Sequence, residues 1–398
     1  MTPVSRRLIL LLALTCGTAV GNVYFPQAIT PTIATGLHLE PGTATQVVTA
    51  VQFGYAAGIF LLVPLGDRLP HRPLLTTLLT LTGIALLAAC AAPSLGPLIG
   101  ASALIGVTTV VAPLIGPMAA GLVAADRRGA VGGTLLSGSI GGMLLSRALG
   151  GALSEWLGWR APYLLAAALT LTIAACLAHA LPTTTPPSTQ PYPHLLTQPL
   201  RLLRTEPLLR RSCLYQAAVF AGFCAVWTSA APLLTGPTYH LGAHAVGALA
   251  LVNAATMLAT PHAGRLVDRH GPDAVNRVCL LTVLAAAAIL TLATLGGPTG
   301  MTALVVGTLA LDIGMQSGMV ANQVRIYSLR PGIRARLNTA YMTCSYLGGS
   351  LGSWTGTQAH THLGWPGVCA LTTLLTTLAL THHLTTRTPP RAPTTSPA

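Results

Sequence analysis

The chain of 398 residues contains long stretches with no Asp, Glu, Lys or Arg: 8–39, 41–66, 73–125, 161–200, 212–264 and 337–386. A membrane-crossing helix takes about 20 apolar residues. A run such as 73–125 is therefore long enough to cross, turn and cross back. Backbone groups in lipid must be satisfied internally, so only helices or a closed barrel remain. A barrel shows alternating segments of about ten residues, and these runs do not alternate. The chain reads as an all-α, polytopic membrane protein. Its 7% charged residues fall far below the roughly 25% of a soluble domain.

Twelve spans are expected, near 8–30, 44–66, 74–92, 97–123, 130–153, 161–181, 212–235, 243–263, 276–296, 301–325, 337–358 and 364–384. The first apolar run runs on past Asn22 to about Thr30 without a small-residue cleavage site, so it reads as a span and not as a signal peptide. The net charge of +13 comes from 21 arginines and no lysine. A basic chain raises nucleic-acid binding, but these arginines form no patch. With both termini cytoplasmic, 19 of the 21 fall in cytoplasmic segments, as the positive-inside rule asks. Arg160 falls outside and Arg147 inside a span. The expected location is the cell membrane (plasma or inner membrane), multi-pass.

Segment 182–211 is rich in Pro and Thr and ends in arginines. Its prolines deny it a continuous helix. It is expected to be a cytoplasmic linker between two six-helix bundles, 1–181 and 212–386, followed by a cytoplasmic tail, 387–398. The halves repeat: Asp67-Arg68 in loop 2–3 recurs as Asp268-Arg269 in loop 8–9, and Leu157-Gly158-Trp159 recurs as Leu363-Gly364-Trp365. Parallel six-span repeats are a transporter architecture.

At these residues the chain resembles the major facilitator superfamily, over nearly its whole length. The family's loop 2–3 motif is G-x-L-a-D-R-x-G-R-R. The second copy keeps Gly264, Leu266, Asp268, Arg269 and Gly271. The first keeps Leu65, Asp67, Arg68 and Arg72, with Val63 and Pro70 at the glycine positions and His71 at a basic one. The resemblance implies that these acids and arginines latch cytoplasmic helix ends together in one alternating-access state. Helix 5 is similar to that of the drug/proton antiporter (efflux) branch, whose motif is G-x-x-x-G-P-x-x-G-G. Gly142, Gly150 and Gly151 match, while Ser146 and Arg147 replace Gly-Pro.

Charges inside spans are few, so each exception matters. Asp312 lies in mid-helix 10, where a charge costs about 2.5–3.5 kcal/mol on insertion scales. Gln316 and Gln323 fall near the same helix face, and Asn322 flanks it. The resemblance implies that helices 1, 4, 7 and 10 line the central route. Asp312 is therefore expected to couple transport to protons, since desolvation disfavours its charged form. Three fates are open to Arg147: pairing with Asp312, binding an anionic substrate group, or reaching outward or to backbone carbonyls. Asn22, Tyr24 and Gln27 of helix 1 complete the proton or substrate candidates. Further polar faces on helices 7, 8 and 11, including Gln216, Trp227 and Asn253, read as helix–helix hydrogen bonds.

The remaining chemistry is thin. Eight scattered cysteines and twelve histidines show no metal-ligand spacing. His360/His362 and His382/His383 near helix ends read as solvated. Gly348-Gly349-Ser350-Leu351-Gly352 spells G-x-S-x-G inside an apolar helix, where no nucleophile elbow forms. No Walker sequence is present. The expected function is a secondary transporter, not an enzyme, exporting a small, partly hydrophobic compound against protons. It would act as a monomer, with the proton gradient as energy source and no cofactor. Its partners would be substrate, protons and bilayer, and no nucleic acid. The alternatives are an uptake symporter or facilitator of the same fold and, from another class, a membrane-embedded enzyme or receptor.

Overall fold

The structure, a computed structural model, describes residues 5–40, 42–123, 128–182, 190–258, 260–329 and 333–386. Among them every regular element is helical. The first expected span is two helices, α1 (Arg6–Tyr24) and α2 (Pro26–Gly36), joined at Phe25. Pro26 suits a helix start because its missing N–H has no partner to lose there. The second span, α3 (Thr45–Leu62), tightens into a 3-10 turn, Val63–Asp67. Then follow α4 (His71–Cys90), α5 (Leu95–Thr108), α6 (Val111–Leu122), α7 (Arg128–Leu157) and α8 (Arg160–Ala180). The α5–α6 break is held by Thr109, whose hydroxyl donates to the Ala19 carbonyl of α1 at 3.1 Å.

The rest of the chain comprises α9 (Tyr192–Thr205), α10 (Pro207–Thr235), α11 (His244–Asn253), α12 (Thr260–Thr291), α13 (Gly297–Leu329) and α14 (Arg334–Thr385). Two of these each hold a turn between successive crossings. Gly271 (φ 79°) breaks α12 and Gly364 (φ 65°) breaks α14. Glycine adopts this left-handed backbone without the clash a Cβ brings. Each is followed within two residues by a proline, Pro272 and Pro366, which suits a fresh helix start. Nine helices among the described residues are long and apolar enough to cross a membrane. Among the described residues each expected span is mostly helical, which is consistent with twelve crossings.

Polarity is inside out relative to a soluble protein. Leu14, Leu169, Leu374 and Leu378 are exposed, while Asn22, Gln27, Arg147, Trp227 and Asp312 are buried. An apolar perimeter suits lipid, and the polar side chains turn to one another. Close helix approach is set by small residues. A Cβ on Gly142 would run into the backbone of Gly17, so α7 and α1 cross almost in contact. Gly352 meets the Ala221 backbone in the same way where α14 crosses α10. Across the bundle, α7 packs on α11, α3 on α14 and α2 on α10.

The sequence predicts no continuous helix in the linker expected over 182–211; its residues 183–189 lie outside the described residues. In the structure α9 occupies part of that stretch and α10 begins at Pro207. Leu195, Pro199 and Leu202 share the buried face of α9, a helical spacing that lets Pro199 sit inside the helix against neighbouring elements. The Tyr192 hydroxyl donates to the Leu61 carbonyl of α3 at 2.5 Å, so α9 touches the first repeat while packing on α10 and α14 of the second.

Candidate functional site

Helices α1, α3, α6, α7, α10, α13 and α14 enclose a central cavity of about 200 Å³. Gln316 and Gln323, predicted to share a face of α13, both line it, as does Tyr24 of α1. A vestibule of about 620 Å³ lies at the Arg-rich end, lined by Asp67, His71, Tyr327, Arg334 and Arg336. The two spaces share Pro113, Leu136, Ser139 and Gln323 in their walls. The vestibule at the Arg-rich end and the mid-bundle cavity are thus adjacent.

Above the cavity, the predicted charges form a roof. Arg147, Trp227 and Asp312 are all fully buried. Arg147 donates to the Gln27 side-chain oxygen from Nε at 3.0 Å and from Nη2 at 2.7 Å. Its guanidinium lies over Trp227, 4.1 Å from the ring centre, and 5.0 Å from that of Tyr24. Trp227 in turn donates its indole N–H to Asp312 Oδ1 at 3.0 Å. The two charges therefore do not touch, and Trp227 stands between them. Arg147 meets none of the three expected fates in the structure: its partners are a neutral amide acceptor and aromatic faces. A desolvated cation–π contact contributes about 2 kcal/mol and a hydrogen bond to a charged group about 1.5–3 kcal/mol. Together they are of the size needed to hold a charge at this depth.

The roof keeps unused polar atoms. Asp312 Oδ2, Arg147 Nη1 and Gln27 Nε2 are buried without a hydrogen-bond partner. Native buried groups are mostly satisfied, and here three unpartnered polar atoms belong to one cluster of side chains. Asn22 is not part of it. Its amide donates to Thr170 of α8 at 3.2 Å, a tie inside the first repeat. Asn322 likewise accepts from Asn276 of α12. Gln316 donates to Thr256 at 3.1 Å, and Asn253 to Thr308 at 3.0 Å, which cross-links the second repeat.

At the end remote from the vestibule α7 and α11 meet. Glu155 at the end of α7 meets His244 at the start of α11, with Oε2 to Nδ1 at 2.6 Å and to the backbone N–H at 3.3 Å. Nearby, a Cβ on Gly151 would approach the Ala243 carbonyl at 2.7 Å. Of the helix 5 glycines, Gly142 therefore serves the α1 crossing, Gly150 faces Phe25 and Gly151 faces α11. The Glu155–His244 contact has a sequence signal in the scarcity of acids: the chain has only eight, and each is a candidate for pairing.

The loop motifs divide. Asp67 lies in the vestibule wall within electrostatic reach of Arg336 and His71. Arg68 is exposed and Arg72 half-buried. In the second copy Asp268 and Arg269 are exposed, Gly264 has open space around it and Gly271 makes the turn. The buried charge work is done instead by Asp273, at the position where the motif ends in arginine. It pairs with Arg325 of α13 and with Arg211 of α10, the latter at 3.2 Å. Arg211 also donates to the Tyr215 hydroxyl at 2.6 Å and lies 3.3 Å from His383 Nδ1. His383, expected to be solvated, is buried, because the end of α14 packs against α10. Arg127, Arg330, Arg387 and Arg391 lie outside the described residues.

Among the described residues no group of three or more His, Cys, Asp or Glu is arranged to hold a metal. The Major Facilitator Superfamily family model matches residues 10–353 and 261–398. An uncharacterized transporter of Escherichia coli strain K12, YgaY, is 36% identical over 92% of both chains. A probable transporter of Streptomyces coelicolor is 33% identical over 92% of this chain and 84% of its own. A chloramphenicol resistance protein of Streptomyces lividans is 31% identical over 63% of this chain and 64% of its own. Among solved structures, the nucleoside transporter NupG superposes with a TM-score of 0.78 over 96% of this chain and 99% of its own, at 13% identity. That last likeness speaks for the fold alone.

Proposed function

The chain belongs to the major facilitator superfamily, and from that premise we propose that this membrane transporter exports a small, partly hydrophobic compound in exchange for protons. The observation that carries the reading is Asp312: a buried carboxylate in mid-helix, one oxygen held by Trp227 and the other unpartnered. For exchange, Asp312 takes its proton from outside in the outward-open state and carries it back to the state of this structure. Released to the cytoplasm through the vestibule, the proton leaves a charged carboxylate that again holds the indole N–H of Trp227, on which Arg147 rests. Substrate entering from the vestibule then parts the roof between α7, α10 and α13, the far end opens at the Glu155–His244 contact and the vestibule closes. This is alternating access with the proton as the coupling ion. Energy comes from the proton gradient, with no cofactor, and the working unit is a monomer. The Arg-rich vestibule faces the cytoplasm of the cell membrane, as do both termini. The helix 5 glycines and the 31% identity to a protein named for chloramphenicol resistance support export.

A growth-inhibition panel in a host lacking its own exporters supplies a transported compound. Proton-driven accumulation of that compound in inside-out vesicles, lost in Asp312→Asn, is the expected result. Accumulation only in right-side-out vesicles establishes uptake instead, and wild-type rates in Asp312→Asn overturn the role of this residue.

A further inference from the structure

The walls of the central cavity say more than that its ligand is partly hydrophobic. Four of the chain's eight methionines meet there: Met143, Met315, Met319 and Met342. Thioether side chains are flexible and polarizable, and they favour contact with aromatic rings. Four rings share the walls: Tyr24, Tyr55, Phe220 and Tyr346. Tyr346 meets Tyr55 edge-on at 4.5 Å and Phe220 edge-on at 5.1 Å. This perpendicular arrangement turns ring faces in different directions around the space. The polar part of the wall is made of amides and hydroxyls, with Gln216, Gln316 and Gln323 the long ones.

Among the described residues no charged side chain lines this cavity. Arg147 lies behind the ring of Tyr24, and Asp312 one turn along α13 from Gln316. They flank Trp227 from its face and its N–H edge. Opposite charges on one ring present a dipole to the cavity and not a net charge. A cation moving in finds no carboxylate at the wall and an anion no guanidinium, so each is desolvated without a partner. An uncharged ring system loses little water, and glutamine amides can pair with a donor and an acceptor on its rim.

Deepening the efflux reading, and resting on it for the cavity's being a substrate site, we infer that the cavity takes an uncharged, flat aromatic molecule with an amide-like edge and discriminates against charged analogues of the same shape. The volume, about 200 Å³, is below the 300–1,000 Å³ or so of ordinary ligand pockets, which limits the ligand to a compact fused-ring system.

Three probes of one shape test this on the full chain in lipid nanodiscs without a proton gradient: acridone (neutral), 9-aminoacridinium (cationic) and acridine-9-carboxylate (anionic). Binding is read by fluorescence polarization of each probe. Acridone is expected to bind about tenfold or more tightly than either ion, a difference of about 1.4 kcal/mol. Gln216→Glu places a carboxylate in the wall and is expected to move the preference to 9-aminoacridinium. Gln323→Glu, nearer the vestibule, makes the same change if the first variant does not fold. Equal or tighter binding of either ion by the wild-type protein overturns the inference, as does failure of all three to bind. Because no gradient is used, the outcome is independent of the vesicle assay: efflux can fail while neutral selectivity stands, and the reverse.

Discussion

Trp227 donates its indole N–H to Asp312 at 3.0 Å while its ring carries the guanidinium of Arg147 4.1 Å above the centre. One neutral side chain thus mediates between two buried charges. The arrangement separates two properties that substitution can take apart, since the N–H serves the acid and the ring serves the base.

Trp227→Phe keeps an aromatic face and removes the donor. Asp312 then loses a charge-assisted bond of about 1.5–3 kcal/mol. Expression and folding are expected to stay near wild type, while proton-driven transport in vesicles falls by about tenfold. Trp227→Ala removes the ring as well and is expected to lower the thermal midpoint in detergent.

Gln27→Ala leaves the Arg147 guanidinium with rings and no oxygen. An unsatisfied buried donor costs about 1–3 kcal/mol, more when charged. The expected result is a lower thermal midpoint, read by scanning fluorimetry, with Gln27→Glu restoring or exceeding the wild-type value through an ion pair. Unchanged melting in Gln27→Ala counts against the bond from Arg147 as the roof's anchor.

Glu155→Gln weakens the contact that closes the far end. The side chains are 31% and 60% exposed, and exposed pairs are worth at most about 1 kcal/mol. A modest shift is therefore expected, a few-fold faster labelling of a cysteine introduced at Ala148 by a membrane-impermeant reagent added from outside. Slower labelling would show that the pair does not hold that end shut.

Asp273→Asn strips the counter-charge from Arg211 and Arg325, both buried. Removing one partner of a fully buried pair costs about 3–5 kcal/mol. Asp273 is 35% exposed, so the expected loss is nearer about 2 kcal/mol after solvent screening. Asp268→Asn, five residues earlier and exposed, is expected to change stability by no more than about 0.5 kcal/mol. Comparing the two melting curves asks whether the motif acid or its neighbour carries the second repeat.

Gly142→Val places two methyl groups where α7 meets the backbone of Gly17. Overpacking costs about 1–3 kcal/mol and is expected to cut folded yield. Gly141→Ala, one residue away with open space around its Cβ position, is expected to stabilise slightly, by about 0.5–1 kcal/mol. Equal losses in both variants would falsify the close crossing.

The sequence alone determined that the chain lies in a membrane and is helical. Lipid offers no hydrogen bonds, so charge-free runs of that length admit few folds. It also pointed to Asp312 and Arg147, because a charge inside an apolar run is conspicuous by its cost. It left undecided which atoms they touch. Spacing along one helix places Gln316 and Gln323 on the cavity face, but it says nothing about a second helix. That Trp227 of α10 stands between an arginine of α7 and an aspartate of α13 is a relation among three elements. Asn22 looked like its neighbours Tyr24 and Gln27 in sequence, and only the rotation of α1 against α8 gave it to Thr170. The loop motif drew the eye to Asp268, while the buried arginines chose Asp273, the acid their positions on α10 and α13 reach. Sequence periodicity fixes which residues share a face. Which faces meet is settled by how the helices pack, and there the tertiary structure decided the site.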